Sequence, residues 1–420
     1  MKVLVIGSGG REHAIAYYIH KSPLRPKVYI ARGNPGMTFG TQLDIDETDI
    51  YGLASFARKE SIDLTIVGPE RPLSLGLVNV FRKLDLPIFG PTKEAAQIES
   101  SKDFAKDLMK KYQIPTADYQ TAATMAEAKL ILKTRSYPTV LKYNGLAAGK
   151  GVLIAESEKE AYGFLEEVFL QKKFGSGKLI IEDFLIGPEF SLMAFVNGPK
   201  VYPLAVAQDH KRAYDNDRGP NTGGMGAYSP VPFISEKDIK YAVRKIMAPT
   251  AAALCQEGRK FTGVLYGGLM KTDLGIKVIE FNARFGDPEA EVVLPRMQND
   301  LLKAIIDVMI GKDIKFRWHR EIVMGIVMAS NGYPGAYQCG FTIGNIPEND
   351  VFHMGTALSD NETVNSGGRV LIVLGRGPTY VQAQKEAYKK AAQIKGPLFY
   401  RSDIGNQAVN KEIKQRRKEK

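Results

Sequence analysis

Lys2-Val3-Leu4-Val5-Ile6-Gly7-Ser8-Gly9-Gly10-Arg11-Glu12-His13-Ala14 begins with an apolar, β-branched run that stops abruptly at glycine. A short continuous apolar run closed in this way is the pattern of a strand buried on both faces, and such strands belong to parallel sheets covered by helices. Similar runs recur at 27–31, 63–67 and 87–89, separated by segments long enough for a crossover helix. Residues 1–100 are therefore expected to form a parallel α/β domain. Each run ends in a turn: Gly7-Ser8-Gly9-Gly10-Arg11, Ala31-Arg32-Gly33-Asn34-Pro35-Gly36, Gly68-Pro69-Glu70 and Gly90-Pro91-Thr92. Ligands of open α/β sheets collect at those carboxyl ends.

The first of these turns invites a dinucleotide-binding reading and does not meet it. In G-x-G-x-x-G the third glycine would fall at Glu12, and the second strand ends in Ala31-Arg32 where an acidic residue would hold a ribose hydroxyl. What survives is a phosphate cradle, with free amides at Gly9 and Gly10 at a helix N-terminus and Arg11 as a counter-charge. A sugar phosphate suits it. The alternative is that these glycines only let the helix pack closely on the sheet.

Beyond residue 100 the pattern changes. A helical stretch with Phe104, Leu108 and Met109 runs to Tyr112 and is stopped by Pro115, and strands are expected at 138–142, 152–155, 179–185, 189–196, 201–207, 262–270 and 276–282. Helices are expected near 157–170 and 235–257, which together make an α+β domain with antiparallel sheets. A helical stretch after Pro295 leads to Trp318, and runs at 321–329, 351–357 and 369–374 with a helix at 379–395 form a small third unit. The chain has 420 residues, more than one core usually serves, so a multidomain protein is the expectation.

Composition narrows the class. With 44% hydrophobic and 25% charged residues each unit can bury a core. Cys255 and Cys339 are the only cysteines and lack metal-ligand spacing, which argues against a disulfide framework and for a cytoplasmic protein. No signal peptide or membrane span is expected. The net charge of +11 suits either a nucleic-acid binder or an enzyme of phosphate-bearing substrates. The second is favoured, because a binder of single strands predicts a basic stripe with interleaved aromatics and only the short run Lys411–Lys420 is concentrated, read here as a solvated tail.

Three further stretches carry chemistry. Leu141-Lys142-Tyr143-Asn144-Gly145-Leu146-Ala147-Ala148-Gly149-Lys150-Gly151-Val152 sets a lysine at a strand end before a glycine-bounded loop that can close over a polyphosphate. It is no P-loop, since Lys150 is followed by Gly151 and a strand follows the loop. Lys102 can supply a second cation. Leu179-Ile180-Ile181-Glu182-Asp183-Phe184-Leu185 can offer backbone hydrogen bonds to a base, and the Glu189 carboxylate can accept from ribose hydroxyls. In Ile279-Glu280-Phe281-Asn282-Ala283-Arg284-Phe285-Gly286-Asp287-Pro288-Glu289, strand alternation puts Glu280, Asn282 and Arg284 on one face and Ile279, Phe281 and Phe285 on the other. Two oxygen ligands beside a guanidinium are what a magnesium–triphosphate site needs.

The motifs G-S-G-G-R-E-H at 7–13, G-L-A-A-G-K-G at 145–151, G-P-N-T-G-G-M-G-A-Y-S-P at 219–230 and N-A-R-F-G-D-P-E at 282–289 occur in one order. Together they resemble the phosphoribosylamine–glycine ligase family of the ATP-grasp superfamily. The resemblance implies an N-terminal phosphoribosylamine-binding α/β (pre-ATP-grasp) domain over 1–100, an ATP-grasp domain over 101–320 with a mobile nucleotide lid at about 115–190, and a C-terminal domain over 321–420 with a basic tail. It implies ATP and Mg2+ or Mn2+ as cofactors, glycine and 5-phosphoribosylamine as substrates, a monomer, and neither nucleic acid nor membrane as partner. Residue by residue, it implies Arg284 and Lys142 as catalytic groups. Lys102, Lys142, Gly149, Lys150, Gly151, Glu182, Leu185 and Glu189 would bind the nucleotide. Glu280 and Asn282 would hold the metal, and Gly9, Gly10, Arg11, Asn34, Glu70, Asp209 and Gly224 the substrates. The loop Gln208–Arg212 and the stretch Gly223–Gly226 would border the acceptor site. The chain departs from the usual motifs at Tyr143 and Asn144, at Pro188 and at Tyr214–Asn216. Purine carboxylases and formate-using ligases of the same superfamily are the nearest rivals, and the first and third motifs argue against them. A nucleotide-binding regulator without activity would lack Glu280, Asn282 or Arg284, and all three are present.

Overall fold

All four apolar runs at the N-terminus become parallel strands. The computed structural model describes residues 1–145 and 151–418. β1 (Lys2–Gly7), β2 (Lys27–Arg32), β3 (Thr41–Leu43), β4 (Leu64–Val67) and β5 (Ile88–Phe89) form one sheet in the order β3-β2-β1-β4-β5, every pairing parallel. The chain moves outward from β1 to one side and then resumes on the other, so the crevice for a ligand opens between the carboxyl ends of β1 and β4. There the Gly7–Gly10 and Gly68–Glu70 turns lie side by side.

The next unit has its own core. β6 (Tyr119–Ala122), β7 (Thr139–Tyr143), β8 (Val152–Ala155) and β9 (Leu179–Asp183) pair antiparallel in the order β6-β9-β7-β8. Helices Met125–Leu132 and Glu158–Leu165 cover it, burying Ala128, Leu132, Leu141, Ala161, Leu165 and Ile181 in a cluster separate from the rest of the protein. Thr124 and Ser157 cap the two helices by accepting from the amides of Glu127 and Glu160.

β10 (Glu189–Asn197) leads into β11 (Lys200–Pro203). β12 (Gln208–Asp209), the hairpin β13 (Arg212–Tyr214) and β14 (Arg218–Asn221), and β15 (Gly226–Ser229) follow, and then β16 (Thr262–Thr272) and β17 (Gly275–Asn282). The central sheet runs β11-β10-β16-β17, with β10 paired over its whole length with β16, from Glu189↔Met270 to Asn197↔Thr262. β12 and β15 leave that sheet and join the C-terminal one. With β18 (Ile322–Ser330), β19 (Val351–His353), the hairpin β20 (Thr356–Ser359) and β21 (Glu362–Asn365), β22 (Arg369–Gly377) and β23 (Leu398–Phe399), the C-terminal sheet runs β12-β15-β18-β22-β19, β23 pairing with β18. A segment expected in the middle unit thus supplies an edge of the last, stitching the two together.

Two expectations change. The helix after Pro295 spans only Leu301–Met309, closed by Gly311 at φ 75°, and does not reach Trp318. The C-terminal run belongs to a helix, Asn406–Lys418, anchored by buried Ala408 and Val409 and by Lys411 Nζ donating to the Pro232 carbonyl at 2.8 Å, so the basic run is docked at its start while residues 414–418 are exposed as expected. Among the described residues no helix is long and apolar enough to cross a membrane.

Candidate active site

The helix Lys102–Lys111 begins where the Ser101 hydroxyl accepts from the Phe104 amide at 3.2 Å. Lys102 and Lys106 lie one turn apart and so share a face, which looks into a cleft of about 710 Å³ between the lid, the central sheet and the N-terminal unit. Lys102 Nζ donates to the Gly145 carbonyl at 2.9 Å, at the edge of the glycine loop. Burial lowers the Lys102 pKa, with Glu280 pulling the other way. Lys142, on β7, donates to the Ile279 carbonyl at 3.0 Å and pairs with Glu182 on the neighbouring β9. Lys106 pairs with the second oxygen of Glu182. Burial would raise the Glu182 carboxyl, but the two lysines overcome it and hold it below its ordinary value. Leu185 and Gly151 line the same cleft. Gly149 and Lys150 lie outside the described residues.

β17 carries the carboxylates, and it is not a regular strand. Gly268 pairs with Glu280 and Leu269 with Val278, leaving Ile279 as a bulge. A bulge resets alternation. Ile276 and Val278 are buried before it and Phe281 and Ala283 after it, so the parity of the core face changes. The expectation that Ile279 packs in the core with Phe281 is thereby corrected: it is only half-buried, it lines the cleft beside Glu280 and Asn282, and its carbonyl receives Lys142. Lys211, from the loop after β12, pairs with Glu189 and stands 3.9 Å from Glu280. Burial would raise Glu280, yet Lys211, Lys142 and Lys102 hold it below its usual range. Close by, burial pushes the Asp209 carboxyl well above its ordinary value against the pull of Lys211, and among the described residues its Oδ1 has no partner. Glu289 accepts from Ser191 Oγ at 2.9 Å and Tyr266 OH at 2.8 Å.

Among the described residues no group of three or more His, Cys, Asp and Glu side chains is placed to hold a metal by itself. Glu280 and Asn282 supply two hard oxygen donors, and the orphaned Asp209 oxygen lines the same cleft. That set fits an ion that completes its shell with phosphate oxygens and water, as magnesium does.

Arg284 leaves the strand toward the N-terminal unit, 3.0 Å from Glu99 and 3.4 Å from Glu70. Burial disfavours its charge, but these carboxylates raise its pKa overall. Arg11 is buried, with Nη1 donating to the Phe285 carbonyl at 3.2 Å and Nε to Glu12 at 2.5 Å. The Gly9 amide, expected free, instead donates to Glu12 Oε2 at 2.8 Å, so the helix is capped by its own third residue. A Cβ on Gly10 would lie 2.7 Å from Glu291 Oε1, so this glycine permits a close approach to the helix Glu289–Val293. Asn34 does not reach the cleft; its amide donates to the carbonyls of Ser8 and His353 at 2.8 and 2.9 Å. Gly224 also lies behind the wall, at φ 116° with Pro288 so close that a Cβ would sit 2.5 Å from its Cδ, and Gly223 lines the cleft in its place.

Sequence reasoning thus missed Lys106, Glu99, Tyr266 and Arg369, all of which line the cleft. Lys106 had a signal, its i+4 spacing from Lys102. Arg369 had none: it comes from β22 to bind Asp287 at 2.8 Å and the Gly223 carbonyl at 2.9 Å.

Comparison with known proteins agrees with this architecture. Profiles of the phosphoribosylglycinamide synthetase N domain, ATP-grasp (A) domain and C domain match residues 1–99, 100–290 and 323–407. The phosphoribosylamine–glycine ligase of Halalkalibacterium halodurans is 49% identical over 417 residues, 97% of each chain. That of Lactococcus lactis is 48% identical over 97% of this chain and 100% of its own. The crystal structure of phosphoribosylamine–glycine ligase from Thermotoga maritima superposes with a TM-score of 0.86 at 34% identity, covering 96% of this chain and 100% of that one. The biotin carboxylase domain of Hydrogenobacter thermophilus 2-oxoglutarate carboxylase shares the fold at a TM-score of 0.73 and 16% identity, covering 95% of this chain and 91% of that one. Three consecutive domain matches and relatives that are nearly half identical from end to end leave one assignment: the chain belongs to the phosphoribosylglycinamide synthetase family.

Proposed function

We infer that this chain is an ATP-dependent ligase that joins glycine to 5-phosphoribosylamine, giving glycinamide ribonucleotide, ADP and phosphate in purine biosynthesis. The observation that carries this reading is the convergence of Lys102, Lys142, Glu280, Asn282, Arg284 and Glu70 on one cleft, from segments far apart along the chain. A glycine carboxylate oxygen attacks the γ-phosphorus of ATP, the bond to the β,γ-bridging oxygen breaks, and ADP leaves from glycyl phosphate. The phosphoribosylamine nitrogen then attacks the glycyl carbonyl carbon, the C–O bond to phosphate breaks, and the amine loses a proton.

No side-chain nucleophile is needed, so the protein works by position and charge. Lys102 and Lys142 meet the nucleotide phosphates, and Gly149, Lys150 and Gly151 bind the nucleotide with them. The 182–185 segment takes the base and Glu189 the ribose. Glu280 and Asn282 would hold magnesium or manganese, which offsets charge on the β- and γ-phosphates when bound. Arg284 stands where the transferred phosphoryl group develops charge, held by Glu99 and Glu70. Arg11, Glu70 and Asp209 line the side that receives glycine and phosphoribosylamine; Gly9, Gly10, Asn34 and Gly224 shape that wall from behind.

On this reading, residues 1–100 bind phosphoribosylamine, 101–320 form the ATP-grasp domain with a moving lid at about 115–190, and 321–420 close the back. The separate core of the lid supports its motion as a body. The enzyme works as a cytoplasmic monomer without nucleic-acid or membrane partners. The test is ADP release from MgATP with glycine and phosphoribosylamine generated from ribose 5-phosphate and ammonia, each component omitted in turn. ADP and glycinamide ribonucleotide should appear together only in the complete mixture; ADP formation that ignores glycine would refute the substrate assignment.

A further inference from the structure

Lys106 takes no part in the reaction as derived above, yet it is only 3% exposed and lines the cleft. Its ammonium pairs with Glu182 Oε2, while Lys142 pairs with Oε1. It also donates at 2.8 Å to Thr116 Oγ1, whose hydroxyl donates at 2.9 Å to the Val278 carbonyl. These bonds tie Lys106 to β17 and give it fixed partners on both sides. Lys142 differs: it stands near the end of β7, and among the described residues its only other acceptor is the Ile279 carbonyl. One carboxylate therefore carries two cations, although one would balance its charge.

We propose that Lys106 is a positioning residue for base selection, holding the Glu182 carboxylate in place when Lys142 turns to the nucleotide phosphates, so that the freed Oε1 accepts an N–H from a 6-amino purine. This rests on the ligase reading, which puts the nucleotide in this cleft. A buried carboxylate that loses its only cation takes up a proton. A protonated carboxyl donates as well as accepts, and so would take a 6-oxo purine as readily as a 6-amino one. An ionised carboxylate only accepts, and it meets a 6-oxo group lone pair to lone pair. The second lysine is redundant until the first one leaves, and from then on it is what keeps the site selective.

The experiment titrates MgATP and magnesium inosine triphosphate into the full chain by calorimetry, without glycine or phosphoribosylamine, for wild type, Lys106→Met, Thr116→Val, Glu182→Gln and the Lys106→Met/Glu182→Gln pair. Reading binding alone separates this proposal from the ligase assignment, whose failure would show as ADP release indifferent to glycine. Wild type should prefer ATP, Lys106→Met and Glu182→Gln should each cut that preference by about tenfold or more, and the pair should lose no more than Glu182→Gln alone. Equal weakening of both nucleotides in Lys106→Met would make Lys106 a phosphate ligand and overturn the proposal, as would an unchanged ratio. Should Lys106→Met fail to fold by its melting curve, Thr116→Val decides: it frees the ammonium without removing it, and a ratio equal to wild type would sink the idea.

Discussion

At the scale of single residues the cleft is a balance of opposite charges, and most of its charged members answer a named partner. Arg284 is held between Glu99 and Glu70, so its guanidinium is placed before any substrate arrives. Arg284→Ala should lower kcat for ADP release by about 10²–10³-fold, the loss typical of one preorganised charge donor. It should also leave two carboxylates uncompensated, visible as weaker binding of the acceptor at high pH. Glu280 offers an oxygen to the metal and is kept ionised by three lysines. Glu280→Gln should raise the magnesium concentration needed for half-maximal rate by about tenfold or more, measured at saturating ATP. Glycine 224 is a separate case: its φ of 116° and the Pro288 ring 2.5 Å from an added Cβ make Gly224→Ala costly by about 1–3 kcal/mol in denaturant unfolding.

Elements decide where those residues point. The helix Lys102–Lys111 was legible from its apolar spacing, and its Ser101 cap fixes the first turn that carries Lys102. Ser101→Ala should cost roughly 1 kcal/mol of stability and raise the KM for ATP more than that for glycine, because the disturbed turn presents the nucleotide lysine. β17 was legible as a strand but its bulge was not. Strict alternation assigns Ile279 to the core, whereas the extra residue opposite Gly268 and Leu269 leaves it half-buried at the cleft. A sequence read two residues at a time contains no mark for this, since the bulge depends on how β16 pairs across it.

Over the whole molecule, the N-terminal and C-terminal units meet at a buried aromatic seam. His13 Nδ1 accepts from the His353 amide at 2.9 Å, and the His353 ring bonds Thr356 Oγ1 at 2.9 Å. Burial lowers His13 to about 3, with the neighbouring His353 adding to it, and burial lowers His353 to about 4. The unfolded chain takes up protons at these rings near pH 6.5 and the folded one does not, so their contribution is present above pH 6.5 and lost as pH falls toward 4. Buried acids such as Asp209 and Glu291 act in the opposite sense, and the test is therefore a difference. The stability gap between wild type and His353→Gln should shift against wild type by roughly 2 kcal/mol between pH 7 and pH 4, followed by denaturant unfolding. A gap independent of pH would mean that the His353 ring takes up its proton at the same pH in the fold as in the unfolded chain.

The long strands, the parallel sheet at the start, and the lysines, carboxylates and arginine of the cleft were legible in the sequence itself. Apolar periodicity reports burial directly, and Lys102, Lys142, Glu280, Asn282 and Arg284 stand in motifs with local spacing. The pairing of Glu182 with two lysines, the capping of Gly9 by Glu12, the Asn34 bonds to Ser8 and His353, the docking of Asn406–Lys418, and the passage of β12 and β15 into the C-terminal sheet were decided only by the tertiary structure. Each, apart from the cap, joins groups far apart along the chain. A side chain's own neighbours state whether it is buried, but the partner that answers its charge is chosen by whichever distant backbone the fold brings against it.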